Sequence, residues 1–230
     1  MCGRISLSAN LTEILARFEL MKTAPEVQWK PLYNGSPGQM VPIVLSDSPN
    51  FLSMGKWGFI PSWSKDEKIG SSLINARAES IGEKPSYRSA WKKGQRCLVI
   101  VDGFFEWKVV GRNKEPYCIC LTDKKPFGLA GLWESLDKDR KPIITFTIIT
   151  TTPNALMKPI HDRMPVILPQ PMEKKWLDPI LPADEAEDLL VPFPERDVLA
   201  YRVSPLINNP KNNVPEVLAP FQADRTQTRL

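Results

Sequence analysis

The chain has 230 residues, of which 42% are hydrophobic and 24% are charged, and its net charge at pH 7 is +4. No apolar run reaches the 18 or more residues of a membrane span, and the N-terminus has no signal-peptide pattern, so we expect a cytoplasmic protein without a membrane partner. The mildly basic charge permits a nucleic-acid partner without requiring one.

Four cysteines and a single histidine argue against a metal centre. A cytosolic location predicts reduced thiols at Cys2, Cys97, Cys118 and Cys120. The Cys-x-Cys spacing at 118–120 does not match the spacing of zinc ligands, and its alternation within an apolar run favours two buried strand residues. We therefore expect no metal and no other cofactor.

The apolar periodicity predicts many short strands and a few helices. Ile5 and Leu7 alternate with polar residues, which favours a short strand, and Asn10 with Glu13 forms a capping box before a helix of about ten residues. The turn-rich stretch 31–40 is predicted to be a loop. Further strands are predicted at 41–45, 51–57, 96–101, 117–121, 127–133, 143–151, 166–168 and 199–203, and further helices at 87–93, 172–178 and 183–190.

The spacing of these strands predicts an α+β fold: one β-rich domain of mainly antiparallel strands with peripheral helices. The sequence contains no internal repeat, low-complexity tract or linker that would divide it. We expect this domain to span residues 1–221 and the polar residues 222–230 to form a disordered tail.

The first four residues, Met1-Cys2-Gly3-Arg4, suggest an unusual nucleophile. The small side chain of Cys2 should allow an aminopeptidase to remove Met1, which leaves an α-amine and a thiol next to each other. With ordinary pKa values of about 7.7–8.0 and about 8.5, a fraction of each group is nucleophilic near pH 7. An aldehyde can condense with the amine to a Schiff base, which the thiol closes to a thiazolidine. The alternative is an ordinary residue on a frayed terminus.

Two loops carry side chains suited to DNA contacts. In 57–64, aromatic residues alternate with Gly and Pro, so Trp63 either packs on the core or stacks on an unpaired base. In 74–79, the amide of Asn75 could hold an amine or a sugar oxygen, and the guanidinium of Arg77 could bind phosphate. Both side chains could equally satisfy loop backbone.

Two titratable residues are candidates for proton transfer. Glu106 lies among apolar and aromatic neighbours, so it is either paired in a structural ion pair or has a raised pKa that suits a general acid/base. His161, the only histidine, lies between Asp162 and prolines on a loop before a predicted strand. Its alternative is a purely structural role. The polar loop 204–213 suits phosphate or sugar contacts, or is a surface turn.

Together these strings resemble the SOS-response-associated peptidase family, from residue 1 to about residue 215. Each of these short segments alone is weak evidence for the family, whereas their combination in this order is specific for it. The strings are Met1-Cys2-Gly3-Arg4, Tyr33-Asn34 with Pro37-Gly38, Trp57-Gly58 with Pro61 and Trp63, Ile74-Asn75-Ala76-Arg77 with Glu79, Gly103-Phe104-Phe105-Glu106-Trp107, His161-Asp162-Arg163 with Pro165, and Val203-Ser204 with Asn212.

The resemblance implies loss of Met1 and a covalent crosslink between Cys2 and the ring-opened aldehyde of an abasic site in single-stranded DNA. By the same resemblance, Asn75 would orient the amine or the opened sugar, and Glu106 would be the general acid/base. His161 would shuttle protons and help to reverse the bond. Self-processing peptidase activity and a lyase-type activity are also implied.

The resemblance further implies a set of DNA contacts. Arginines would hold phosphates, while a tryptophan and a proline would bend or unstack the strand beside the lesion. We expect the protein to be a monomer that associates with the nucleoid when bound to DNA, and its protein partners to belong to replication or repair. The expected DNA-binding residues are Arg4, Asn34, Pro37, Trp63, Arg77, Arg163, Ser204 and Asn212.

Two other functions fit parts of the pattern. A papain-like cysteine peptidase would use Cys2 and His161, which lie in the papain-like order. Against this, Cys2 precedes a strand-like alternation and not a helix that would lower its pKa. The second alternative is a noncovalent reader of modified or single-stranded DNA.

Overall fold

Over residues 2–25, 27–138 and 141–221, which the computed structural model describes, the chain forms thirteen strands and four short α-helices. The strands are β1 (Ile5–Leu7), β2 (Lys22–Thr23), β3 (Leu32–Gly35), β4 (Met40–Leu45), β5 (Phe51–Trp57), β6 (Asn75–Arg77), β7 (Arg96–Val101), β8 (Gly103–Val110), β9 (Asn113–Leu121), β10 (Phe127–Lys138), β11 (Lys141–Thr151), β12 (Met164–Pro165) and β13 (Val198–Arg202). The helices are α1 (Leu11–Arg17), α2 (Arg88–Lys92), α3 (Gln170–Leu177) and α4 (Ala183–Glu187).

The strands form two sheets, one of which closes on itself. The open sheet has the order β13-β9-β8-β1-β3. In the other, β11, β10, β7, β4 and β5 pair in sequence, and β5 pairs with β11 in parallel, which completes a ring of five strands. Closure removes free edges from these five strands. Most other pairings are antiparallel, so the predicted α+β class is confirmed.

The strands of the closed sheet are buried on both faces. Val99 and Val101 of β7 belong to one apolar cluster, and Leu98 and Ile100 belong to another that includes residues of α1, α2 and α3. An unbroken apolar run is typical of a strand covered on both sides. Trp176 of α3 fixes this packing by donating its indole N–H to the carbonyl of Cys97 at 2.9 Å.

Several predicted elements differ from the structure, and the predicted loop 74–79 contains β6. β3 lies within the predicted loop 31–40, because pairing with β1 orders this stretch despite its turn-forming residues. The strand predicted at 166–168 is instead the two-residue β12, since the segment changes partner: Val166 donates to Ile149 of β11, and its own carbonyl accepts from Ala130 of β10. Helix α1 is shorter than expected, and the chain leaves it through Glu19, whose φ is 53°.

The predicted tail, 222–230, lies outside the described residues, so the division at residue 221 stays a prediction. Within the described ranges, none of the helices is long and apolar enough to cross a membrane. No three histidines, cysteines or carboxylates in the same ranges lie close enough together to hold a metal ion. All four cysteines are buried and free of disulfides.

Candidate active site

The N-terminal strand is fixed in the middle of the open sheet, between β3 and β8. Phe105 donates its backbone N–H to the carbonyl of Arg4 at 2.9 Å. Farther along, the carboxylate of Asp102 accepts the hydroxyls of Ser6 and Ser8, each at 2.6 Å. These bonds hold the terminus in place, and Cys2 is fully buried. The alternative of a frayed terminus therefore does not hold for Cys2.

The pairing of β1 with β8 brings Glu106 to the N-terminus. Ile5 lies opposite Phe104, and Ser6 lies opposite Gly103. Continued by two residues, this antiparallel register places Gly3 opposite Glu106. Glu106 is 3% exposed, and burial raises the pKa of its carboxyl, while the charge of His161 opposes the rise. A carboxyl of this kind keeps its proton at higher pH than an exposed one.

His161 faces Glu106 from the loop before β12. Its Nε2 lies 3.9 Å from a carboxylate oxygen of Glu106. Its Nδ1 accepts the backbone N–H of Arg163 at 3.0 Å, and this bond leaves the proton of a neutral ring on Nε2. The exposed carboxylate of Asp162 lies 3.0 Å from the same Nδ1. The Nε2 side of the imidazole therefore faces Glu106.

Asn75, on β6, contacts the backbone of Cys2. Parallel pairing with β11 aligns Asn75 with Ile148, and Tyr87 donates its hydroxyl to the Asn75 carbonyl at 3.0 Å. The Asn75 side chain donates from Nδ2 to the carbonyl of Cys2 at 2.8 Å. Its Oδ1 is buried and has no hydrogen-bond partner among the described residues. This oxygen is suitably placed to accept an N–H from an amine.

The thiol of Cys2 differs from the ordinary thiol that the sequence predicts. Burial raises its pKa strongly, and the charge of Glu106 raises it further. Its Sγ lies 3.9 Å from the carbonyl of Arg4. Burial therefore favours the neutral thiol over the thiolate fraction that an ordinary pKa predicts. This is the opposite of the activated cysteine of a papain-like peptidase.

Asn34, expected to bind DNA, is 1% exposed and instead organises the chain around it. Its Oδ1 accepts a hydrogen bond from Arg4 at 2.7 Å. Its Nδ2 donates to the carbonyls of Asn209 and Asn212, each at 3.0 Å. These hydrogen bonds of the amide hold the segment around residues 207–212, and a direct DNA contact of Asn34 stays a prediction.

Three more of the expected DNA-binding residues are already engaged. Arg163 binds the carboxylate of Glu79 with both guanidinium nitrogens, and its side chain is 12% exposed. A phosphate would have to displace Glu79 from Arg163. The hydroxyl of Ser204 accepts from the N–H of Leu206 at 3.3 Å, and Asn212 donates to the Leu206 carbonyl at 2.8 Å. These last two contacts are those of a surface turn.

The other expected DNA-binding residues keep some exposed surface. Trp63 is 57% exposed and donates its indole N–H to the carbonyl of Pro85 at 3.4 Å. Arg77 is exposed, and Pro37 is partly exposed. The guanidinium of Arg4 is partly buried and lies 5.8 Å from the centre of the Trp107 ring.

A cavity of about 490 Å³ opens beside Glu106 and His161. Sequence reasoning missed the other residues that line it, because they meet only when the β8–β9 hairpin and the segment around residue 208 fold together. The turn residues Gly111 and Asn113 could have indicated the hairpin, but not what it faces. These missed residues are Trp107, Val109, Lys114 and Asn208.

Comparison with known proteins agrees with the resemblance. The chain matches the family described as SOS response associated peptidase (SRAP) over residues 1–210. The abasic site processing protein YoqW of Bacillus subtilis is 44% identical over 222 residues, covering 95% of this chain and 99% of that protein. The abasic site processing protein HMCES of Gallus gallus is 30% identical over 266 residues, covering 96% of this chain and 78% of that protein.

The fold agrees as well. A crystal structure of a protein from Bacteroides thetaiotaomicron superposes with a TM-score of 0.86 at 34% identity, covering 96% of this chain and all of that one. The match therefore extends over nearly the whole chain in both sequence and structure, and this protein belongs to the SOS response associated peptidase family.

Proposed function

We propose that this protein recognises abasic sites in single-stranded DNA and binds them covalently through Cys2, once Met1 has been removed. The product is a thiazolidine crosslink that shields the lesion. The observation that carries the proposal is the position of Cys2, held by the Asn75 side chain while the β1–β8 register brings Glu106 beside it. The names of the abasic site processing relatives support the same reaction class.

The first step is the opening of the sugar. An abasic deoxyribose is mostly a closed hemiacetal, so its aldehyde forms only when a proton reaches the ring oxygen and the proton of the C1′ hydroxyl passes to solvent. The buried carboxyl of Glu106, with its raised pKa, can deliver the first proton. The α-amine of Cys2 then attacks the aldehyde carbon and releases one water, which gives a Schiff base. The free Oδ1 of Asn75 orients the attacking amine.

The second step is ring closure by the thiol. Because the Cys2 thiol is neutral, its proton must leave as sulfur attacks the imine carbon. The Glu106 carboxylate, which has already given up its proton, accepts the thiol proton and passes a proton to the imine nitrogen. The carbon–sulfur bond forms as the carbon–nitrogen π bond breaks, the nitrogen becomes a ring amine, and no further atom is lost. Holding the amine, thiol and carboxyl together removes the cost of bringing them together in solution.

Reversal requires that the ring nitrogen or sulfur be protonated again. His161, with Nε2 3.9 Å from Glu106, can resupply that proton.

We predict that Glu106→Gln slows crosslink formation, and that His161→Ala chiefly slows release. Single-turnover formation rates and the transfer of crosslinked protein to excess competitor DNA measure the two steps. Near-wild-type rates in both variants would refute these roles.

Binding should tolerate any sequence, because the lesion lacks a base to be read. Phosphate contacts make such binding salt-dependent, and stacking on aromatic side chains accepts every base. The exposed Trp63 and Arg77 are the side chains that we assign to these contacts among the expected set. Replication or repair proteins remain proposed partners, and the monomer remains a proposed state.

Peptidase activity is proposed only as self-processing of the N-terminus, supported by the description of the family. A papain-like enzyme acting on other proteins fits the site less well, since burial raises the pKa of the Cys2 thiol and His161 contacts Glu106. A noncovalent DNA reader would not need a carboxyl with a raised pKa beside the N-terminus.

A denaturing gel tests the proposal. The protein is incubated with a single-stranded oligonucleotide that carries one abasic site, and covalent products are scored after boiling in detergent. We expect a shifted band that persists in Cys97→Ala, the matched buried cysteine, and disappears in Cys2→Ala. A band that survives in Cys2→Ala, or no band with the wild-type protein, would contradict the proposal.

A further inference from the structure

The β8–β9 hairpin presents one face to the catalytic cavity. In the antiparallel register, Trp107 lies opposite Pro116 and Val109 lies opposite Lys114. Residues opposite each other share a face of the sheet, and so do residues two apart on one strand. Trp107, Val109 and Lys114 therefore form one surface, which we call the hairpin face, and all three line the cavity that holds Glu106 and His161.

The Trp107 ring is held in one orientation. Its indole N–H is donated to Oδ1 of Asn208 at 2.7 Å. The guanidinium of Arg4 lies 5.8 Å from the ring centre and is itself bonded to Asn34. A ring fixed from two sides loses little conformational freedom when a flat partner stacks on it. The Trp107 ring is therefore preorganised for stacking at the edge of the cavity.

The rest of the hairpin face combines apolar surface with positive charge. Val109, two residues after Trp107 on β8, is 65% exposed. Lys114 is exposed and forms no ion pair with any described residue. A single exposed valine has no special meaning. Its position between a fixed indole and an unpaired ammonium, on the wall of a catalytic cavity, matches the makeup of a nucleotide: a flat apolar base joined to a phosphate.

We propose that the hairpin face binds the nucleotide next to the abasic sugar, with Trp107 and Val109 against its base and Lys114 at its phosphate. This inference rests on the proposed function, because the abasic sugar defines the position of its neighbour. A base that is stacked outside the cavity would leave the sugar alone facing Glu106. The hairpin face thus helps to select a site where the base is missing.

The opposite face of the same hairpin offers matched controls. Val110 lies opposite Asn113 and is 44% exposed, and Lys108 lies opposite Glu115. Neither side chain lines the cavity. Val110→Ser and Lys108→Gln therefore repeat the changes Val109→Ser and Lys114→Gln at nearby positions that do not line the cavity.

The test measures noncovalent affinity for oligonucleotides that carry a stable tetrahydrofuran in place of the abasic sugar. We expect Trp107→Ala to weaken binding about tenfold, in line with the effect of removing an aromatic partner of a base. Val109→Ser should weaken it less, and Lys114→Gln should reduce the slope of log affinity against log salt by about 0.7, as for one lost phosphate contact on a single strand. Both control variants should match the wild type.

A second spacer that lacks a base, placed 5′ or 3′ of the first, identifies the partner of Trp107. At one of these two positions, the loss of affinity caused by the second spacer and the loss caused by Trp107→Ala should be strongly non-additive. Each change removes one partner of the same stacking contact. Additive effects on both sides, or equal losses in Val110→Ser and Lys108→Gln, would overturn the proposal. Since Val109 and Lys114 are exposed, their variants remain informative if Trp107→Ala fails to fold.

The two proposals fail separately. If Trp107 shows no coupling to a neighbouring base in a protein that still crosslinks through Cys2, only the proposal for the hairpin face is refuted. If the crosslink is absent while the coupling is intact, only the proposal of covalent capture is refuted.

Discussion

Glu106 is the residue whose environment carries most of the chemistry. Burial raises its pKa, so the folded protein holds a proton there at pH values where the unfolded chain has released it. The folded state then binds more protons, and its stability falls as pH rises from the ordinary glutamate value through the raised one. Below the ordinary value the carboxyl is neutral in both states and this loss is absent.

We therefore predict that Glu106→Gln is more stable than the wild type at neutral pH, with a difference that shrinks toward acid pH. Denaturant unfolding from about pH 4 to 8 spans the ordinary glutamate pKa and measures it. The exposed Glu216, changed to Gln, is the control and should show no such trend. A stability difference independent of pH would contradict the assigned protonation.

Substitutions at Asn34 and Trp63 distinguish a structural residue from a proposed DNA contact. Asn34→Ala breaks the bond to Arg4 and those to the carbonyls of Asn209 and Asn212, so we expect a loss of about 2 kcal/mol of stability. Trp63→Ala, at an exposed site, should change stability by less than about 0.5 kcal/mol. It should instead weaken binding to single-stranded DNA. Thermal unfolding and fluorescence anisotropy measure the two effects, and the reverse pattern would refute the assignment.

At the scale of elements, the packing of α1 against α3 depends on a buried ion pair. Arg17 and Glu173 are joined by two bonds of 3.0 Å, and their side chains are 11% and 7% exposed. Glu173 also accepts the backbone N–H of Gly128 at 3.3 Å. Removing one partner leaves a buried charge, whereas removing both does not.

Arg17→Met should therefore cost about 3 kcal/mol, and the double change Arg17→Met with Glu173→Gln should cost clearly less. The exposed pair of Lys174 with Glu19 is the matched control, and Lys174→Met should cost less than about 1 kcal/mol. Chemical denaturation of the four proteins tests this. Equal losses in the single and double variants would show that packing of the Arg17 stem, and not its charge, matters.

Comparison of the strands with their predicted bounds shows which parts of the fold can be predicted from the sequence. The bounds predicted for β5 and β7 match the structure, because turn-forming residues flank both segments. β3 was missed, because only its partner β1 makes it a strand. The raised pKa of Glu106 was one of two alternatives open from its neighbours in sequence. The burial of the Cys2 thiol and of the Asn34 amide could not be predicted, since both depend on segments far away along the chain.

At the scale of the whole molecule, the fold explains how an N-terminal residue can be held at the proposed site. β1 lies between β3 and β8 of the open sheet, so the terminus becomes an interior strand with partners on both sides. Glu106 reaches Cys2 through β8, and Asn75 reaches it through β6 and its pairing with β11. The His161 loop comes from the end of the closed sheet. Three distant segments therefore converge on the residue that would carry both the amine and the thiol.

Intact mass spectrometry of the purified crosslink tests the central claim most directly. The account predicts a mass equal to the chain without Met1 plus the abasic oligonucleotide minus one water, stable without a reducing agent. In Cys2→Ala, the remaining amine should give an adduct only when borohydride traps the Schiff base. An adduct that retains Met1, or a stable untrapped adduct in Cys2→Ala, would contradict capture by the paired amine and thiol.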